Sequence, residues 1–334
     1  MTSIPTYHVL ALSGGGYRGL YTGTVLAELE ARLGRPIASH FDLICGTSAG
    51  GMLALGLAAE IPASELKSLF ETQGNRIFGC RTWTRRALGF WAKAKHDSKG
   101  LENVLTERFG DALIGDLRHR VLIPAVNYTT GRGQFFKTSH HPSFEIDHEM
   151  RLVDVALATA AAPVYFPLFR HKRGVFADGG LVGNAPGLFG LHEVDMFFAP
   201  GEKEKKVRVL SIGTMTIGAT VRGGASLDRG FGRWGGSLFD LVISAQESSV
   251  DYMLRQKLGD DYYPIDDKAR PDQSKDVKAL DRVSIASTNT LRDRGMHAAQ
   301  RALPDPKFKP FREHKAAPPT FFHGANKNAE EATC

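Results

Sequence analysis

Short apolar runs alternate with amphipathic stretches along most of this chain. Tyr7 to Ser13 (Tyr-His-Val-Leu-Ala-Leu-Ser) is short and mostly apolar, as a buried parallel strand is. Leu20, Val25, Leu26, Leu29 and Leu33 follow at helical spacing, with Glu28, Glu30 and Arg32 on the opposite face. The order then repeats. Phe41 to Cys45 predicts a second buried strand, and Ala49 to Leu57 a helix apolar on every side. Pro62 to Thr72 and Leu101 to Phe109 predict helices, and Arg120 to Val126 and Gln134 to Thr138 predict strands. Leu152 to Ala162 reads as a small-residue helix stopped by Pro163. Gly174 to Ala177 and Lys206 to Ile212 predict core strands, Gly236 to Leu258 a long helix, and Asp260 to Ile265 a last strand. The alternation predicts an α/β fold built as one large domain or two smaller ones.

Two regions break the pattern. Residues 213–236 hold eight glycines and predict a mobile connection or lid. Beyond Leu303, five prolines and many charges predict an irregular tail whose last ten residues are disordered. No internal repeat is visible.

Composition narrows the function classes. A hydrophobic content of 42% is enough for a sizeable core. No apolar run approaches the length of a membrane span, and Met1 to His8 lacks the features of a signal peptide. Three scattered cysteines, Cys45, Cys80 and Cys334, predict a reducing, cytoplasmic setting without disulfides. The net charge of +6 favours an anionic partner: a phospholipid surface, a nucleotide or a nucleic acid. Between Arg76 and Lys99, seven basic residues stand against the single acid Asp97, interleaved with Trp83, Phe90 and Trp91. That mixture suits a membrane interface or a nucleotide, and equally a solvated insertion. His140 and His141 have no carboxylate or cysteine at ligand spacing, so no metal site is expected.

Three stretches carry candidate chemistry. Gly46-Thr47-Ser48-Ala49-Gly50 joins a predicted strand to a predicted helix and fits Gly-x-Ser-x-Gly, in which Gly46 and Gly50 leave room for a cramped elbow exposing Ser48. A tight turn that happens to contain serine would look the same. Gly14-Gly15-Gly16-Tyr17-Arg18-Gly19 follows the first strand and allows three readings. Gly14, Gly16 and Gly19 match the dinucleotide pattern, but Asp42 opens the second strand where that fold wants an acid closing it. A phosphate-binding P-loop needs a lysine where Leu20 stands. Alternatively, the amides of Gly14, Gly15 and Gly16 face Ser48 as an oxyanion hole, with Arg18 supporting the loop, meeting a lipid phosphate, or equally held in a structural salt bridge. The third stretch is Asp178-Gly179-Gly180, either a strand-ending turn or a carboxylate delivered to the sheet edge, where it could take the Ser48 proton.

Taken in order, these motifs closely resemble the patatin-like phospholipase family across roughly residues 8–215. The resemblance extends through Ala161-Ala162-Pro163-Val164-Tyr165-Phe166-Pro167 and Asn184-Ala185-Pro186. It implies a three-layer α/β/α fold with a central, mostly parallel sheet. Residues 216–302 then form a helical C-terminal part with a regulatory role, and 303–334 a tail. It implies a Ser48–Asp178 dyad, an oxyanion loop from Gly14 to Gly16 supported by Arg18 and Gly19, and calcium-independent hydrolysis of lipid acyl esters without a cofactor. Ser13 stands where many members have aspartate, and Asn184-Ala185-Pro186 replaces a commoner Asn-Asn-Pro or Asn-Pro. The wording around Gly14–Tyr21 and Leu152–Thr159 is most similar to bacterial antiphage (CBASS) effector phospholipases. That likeness implies a cyclic dinucleotide activator from a partner synthase, a membrane phospholipid substrate, no nucleic acid, a homo-oligomer, and cytoplasmic enzyme acting peripherally on the inner membrane. Two rivals remain: a hydrolase with a Ser–His–Asp triad drawing on His297, His314 or His323, and a non-catalytic module that senses nucleotides or binds membranes.

Overall fold

The computed structural model describes residues 4–79, 93–198, 204–215, 228, 236–269 and 273–328. Arg81, Trp83, Arg85, Arg86, Phe90 and Trp91, most of the predicted basic and aromatic segment, lie outside the described residues, as does most of the glycine-rich connection.

Eight strands form one sheet: β1 Thr6–Leu12, β2 Leu43–Gly46, β3 Val121–Asn127, β4 Arg132–Lys137, β5 Phe169–His171, β6 Gly174–Ala177, β7 Lys206–Ile212 and β8 Tyr262–Ile265. The path runs β5-β6-β3-β2-β1-β7-β8, with β4 also on β3. Pairs β1–β2, β1–β7, β2–β3 and β7–β8 are parallel, so the sheet centre is parallel, as the apolar runs predict. Period-two alternation divides β1 between two cores. Leu10 and Leu12 pack in a large cluster with Leu20, Leu26, Leu53 and Leu291. Val9 and Ala11 pack in a smaller one with Leu191, Val194, Val209 and Leu254. Helices α1 Gly19–Leu33, α2 Ala49–Ala58, α3 Ala63–Phe78, α4 Lys99–Phe109, α5 Leu152–Thr159 and α10 Ile285–Ala302 supply the first layer. Helix α7 Gly187–Phe197 and the far end of α8 Gly236–Leu258 supply the second. The short helices α6 Gly180–Gly183, α9 Ser274–Val277 and α11 Lys309–Glu313 complete the set.

One detail of register positions the site. β2 pairs with β3 only at Ile44–Val121 and Cys45–Leu122 and then stops, while β3 runs on to Asn127. The edge β2 vacates is taken by β6, antiparallel, through Val126–Ala177 and Asn127–Phe176. The end of β2 and the end of β6 therefore point at each other across the middle of β3.

The tail differs from expectation. Phe308 and Phe311 are buried, and α11 lies between 309 and 313. His314 Nε2 lies 2.8 Å from Asp42 Oδ2 and its ring stacks on His8 at 3.8 Å. The backbone is irregular after His314, but Asn326 hydrogen-bonds to Gly115 and Leu117 in the body and Asn328 to Pro319 and Phe321 in the tail, so disorder does not extend to residues 325–328. Prolines and charges hid three aromatic anchors, Phe308, Phe311 and Phe321, whose burial ties the segment down.

Candidate active site

Ser48 follows β2 at φ 53° and ψ −121°, a conformation that costs a residue with a side chain about 1–3 kcal/mol. The flanking glycines make the turn feasible. A Cβ on Gly46 would lie 2.2 Å from the Gly50 carbonyl oxygen, and one on Gly50 would lie 2.3 Å from the Leu12 carbonyl oxygen. Helix α2 starts at the next residue, so its N-terminal amides and positive dipole end lie beside the hydroxyl.

Ser48 Oγ donates to Asp178 Oδ2 at 2.8 Å. Asp178 arrives at the end of β6, and its other oxygen accepts the Gly180 N–H at 2.6 Å. Gly179 passes so close to β3 that a Cβ would lie 2.2 Å from the Pro124 carbonyl oxygen. Asp178 is 2% exposed, and burial pushes its carboxyl up to about 7, against the opposing bonds from Gly180 and Ser48.

Thr159 ties the two ends together. Its hydroxyl accepts the Ser48 N–H at 3.0 Å and donates to the Pro124 carbonyl at 2.6 Å. Its carbonyl accepts the Gly179 N–H, and the Ala161 carbonyl accepts the Asp178 N–H. Helix α5 accordingly ends at Thr159, short of the expected Ala162, because these carbonyls serve the aspartate loop. Sequence reasoning passed over Thr159; its only signal was a lone hydroxyl in a run of alanines. Thr159→Val is expected to cost about 1–3 kcal/mol of stability by stranding two buried backbone groups, read as a lower urea midpoint at unchanged m.

The glycine loop lies against the serine, with a Gly14 Cβ position 3.1 Å from Ser48 Cβ. Its amides are not equivalent. The Gly14 N–H donates to the Asn184 carbonyl at 3.1 Å, which removes Gly14 from the expected set of oxyanion donors. Gly15 N and Gly16 N have no hydrogen-bond acceptor among the described residues, and both residues line the cleft beside Ser48. The Gly14 carbonyl is held twice, by Asn184 Nδ2 at 3.0 Å and Thr214 Oγ1 at 3.2 Å. Asn184 Nδ2 also reaches Glu247 Oε1 on α8 at 2.6 Å. Gly19 lets the start of α1 meet α2, since its Cβ would lie 3.0 Å from that of Ala49. Arg18 is buried outside the cleft; its Nε has no hydrogen-bond partner among the described residues, and Asp240 and Asp266 are its charged neighbours.

The cleft over Ser48 is apolar. Met52, Phe70, Phe78, Phe166, Phe239 and Ile243 form its walls. No histidine lines it among the described residues. His314 instead pairs with Asp42 and His323 with the Pro142 carbonyl, while His297 is exposed. Of the basic segment, Arg76 pairs with Glu107, and Lys95 pairs with Asp281.

A family model described as patatin-like phospholipase matches residues 10–188. A cGAMP-activated phospholipase of Pseudomonas aeruginosa is 79% identical over 334 residues, covering 100% of both chains. Proteins of the same name from Vibrio cholerae and Escherichia coli are 38% and 36% identical, covering 87% and 88% of this chain and 90% and 89% of their own.

Proposed function

The chain belongs to the patatin-like phospholipase family, and on that premise we propose that Ser48 and Asp178 form the dyad through which it hydrolyses membrane phospholipids. The observation that carries this is the 2.8 Å hydrogen bond from the serine hydroxyl to a buried carboxylate inside an apolar cleft. Serine needs an adjacent base to attack an ester, and an aspartate raised to about 7 is matched to that task at neutral pH.

As Ser48 Oγ bonds to the ester carbonyl carbon, its proton passes to Asp178 Oδ2. The oxygen that gains charge is met by the Gly15 and Gly16 amides and the start of α2, an arrangement worth about two to three powers of ten in rate per donor. Asp178 then gives the proton to the departing lysolipid oxygen, leaving acyl-Ser48. Water, losing its proton to the same carboxylate, releases the fatty acid and returns the proton to Ser48. These groups fill every role, so calcium is not required for the chemistry.

The apolar walls suit an acyl chain. The helix that supplies Phe239 and Ile243 also exposes Leu238, Leu241 and Val242, and Val164 is exposed beside Tyr165 of the cleft wall. This rim favours entry from a lipid surface, with the enzyme acting peripherally on the inner membrane.

The names of the relatives supply the second half of the proposal. A cyclic dinucleotide such as cyclic GMP–AMP, made by a partner synthase, switches the hydrolase on, and membrane breakdown serves antiphage defence. The test is fatty-acid release from phospholipid vesicles, with and without cyclic GMP–AMP, beside fluorophosphonate capture at Ser48. Release and capture are expected to rise together with the nucleotide. A folded protein that neither labels nor releases fatty acid in its presence would leave the inert binding module standing.

A further inference from the structure

A second cavity, of about 440 Å³, shares no lining residue with the acyl cleft. That volume falls in the range of sites for small molecules, roughly 300–1,000 Å³. Its walls are polar. Ser13, Ser211, Ser244 and Ser248 bring hydroxyls, Arg255 and Lys268 bring positive charge, and Glu247, Asp251 and Asp266 bring carboxyls, with Arg255 Nε donating to Asp251 Oδ2 at 2.8 Å.

Glu247 and Asp266 are wired to one atom of the glycine loop. Glu247 Oε1 accepts from Asn184 Nδ2, which also donates to the Gly14 carbonyl. Asp266 Oδ1 accepts the Met215 N–H at 2.9 Å, and the neighbouring Thr214 hydroxyl donates to that same carbonyl. The peptide plane makes this consequential. The Gly14 carbonyl and the Gly15 N–H belong to one rigid unit, so fixing the direction of one fixes the other. Gly15 N–H is a proposed oxyanion donor, which places the cavity two hydrogen bonds from the catalytic electrostatics.

Asp266 Oδ2 has no hydrogen-bond partner among the described residues. A carboxylate facing a cavity matches the adjacent N1–H and N2–H donors of guanine. Adenine offers a bare acceptor at N1 and is disfavoured there. Lys268, with Arg255 beside its partner Asp251, suits the phosphates that accompany the base.

We propose that this cavity is the regulatory site, that Asp266 reads the guanine of a cyclic dinucleotide in it, and that occupancy sets the Gly14–Gly15 peptide through Asn184 and Thr214. The proposal rests on the activation reading above. It is tested by isothermal titration of the full chain with cyclic GMP–AMP and with cyclic di-AMP. Asp266→Asn keeps an acceptor for the Met215 N–H but places an amide where the second oxygen was. It is expected to weaken cyclic GMP–AMP binding at least tenfold and to erase most of the preference over cyclic di-AMP. Ser248→Arg, which fills the cavity from α8, is expected to weaken both ligands, with circular dichroism checking that each variant is folded. Wild-type affinity in both folded variants would place the nucleotide elsewhere and overturn the cavity proposal while leaving activation intact. A wild-type chain that binds neither ligand would overturn activation itself, and the cavity proposal with it.

Discussion

Asp178→Asn is expected to lower fatty-acid release by about three powers of ten, since a positioned general base contributes roughly 10²–10⁴ and here one carboxylate serves both chemical steps. The amide can still accept the Gly180 N–H, so the loop keeps its shape. Stability should move the other way. The folded protein holds this carboxyl near 7, above its ordinary value, so between about pH 4 and 7 the folded state keeps a proton that the unfolded chain has lost. Asp178 therefore lowers stability as pH rises through that window and costs up to about 4 kcal/mol above it. The Asn variant, free of that cost, should melt higher than the wild type at pH 8, with the difference shrinking toward pH 4. Wild-type hydrolysis should climb as pH passes about 7, when the base becomes available. A folded Asn variant with unreduced turnover would remove Asp178 from the chemistry.

Gly50→Ala should be among the most damaging single-methyl changes. The new carbon would lie 2.3 Å from the Leu12 carbonyl oxygen and 2.7 Å from that of Ser13. Both are backbone atoms where β1 enters the glycine loop, so no rotamer change relieves the overlap. Overpacking of this kind costs about 3 kcal/mol. The strain falls between the serine elbow and the loop amides, so activity should fall more than stability. The measurements are the thermal midpoint and the rate of fluorophosphonate capture. Gly34→Ala is a useful contrast: a Cβ there meets nothing within 4 Å, although its φ of 70° still disfavours a side chain.

How much of this was legible depended on the range of the signal. The strand–turn–helix around Ser48 is written in adjacent residues, and so is the strand that ends at Asp178. Period and glycine placement were enough for both. The Gly14 amide was misjudged because its acceptor, Asn184, lies 170 positions away and no local pattern records the pairing. Thr159 and Glu247 were missed for the same reason; each acts only after the sheet brings remote segments together. Helix α7 went unread because glycines and a preceding proline break its period, whereas packing of Leu191 and Val194 on β1 and β7 decides its state. In the tail, composition pointed to disorder and three phenylalanines outweighed it.

The head-on meeting of β2 and β6 also bears on how a cell can make this protein safely. Ser48 leaves the ribosome 130 residues before Asp178. A nascent chain thus displays its elbow long before it owns a base, and until β6 docks on the edge that β2 left open, the hydroxyl is ordinary serine. The same holds for proteolytic fragments that separate the two strands. On the proposed dyad, translation products that end before β6 lack the base and should not hydrolyse the membrane of the cell that makes them.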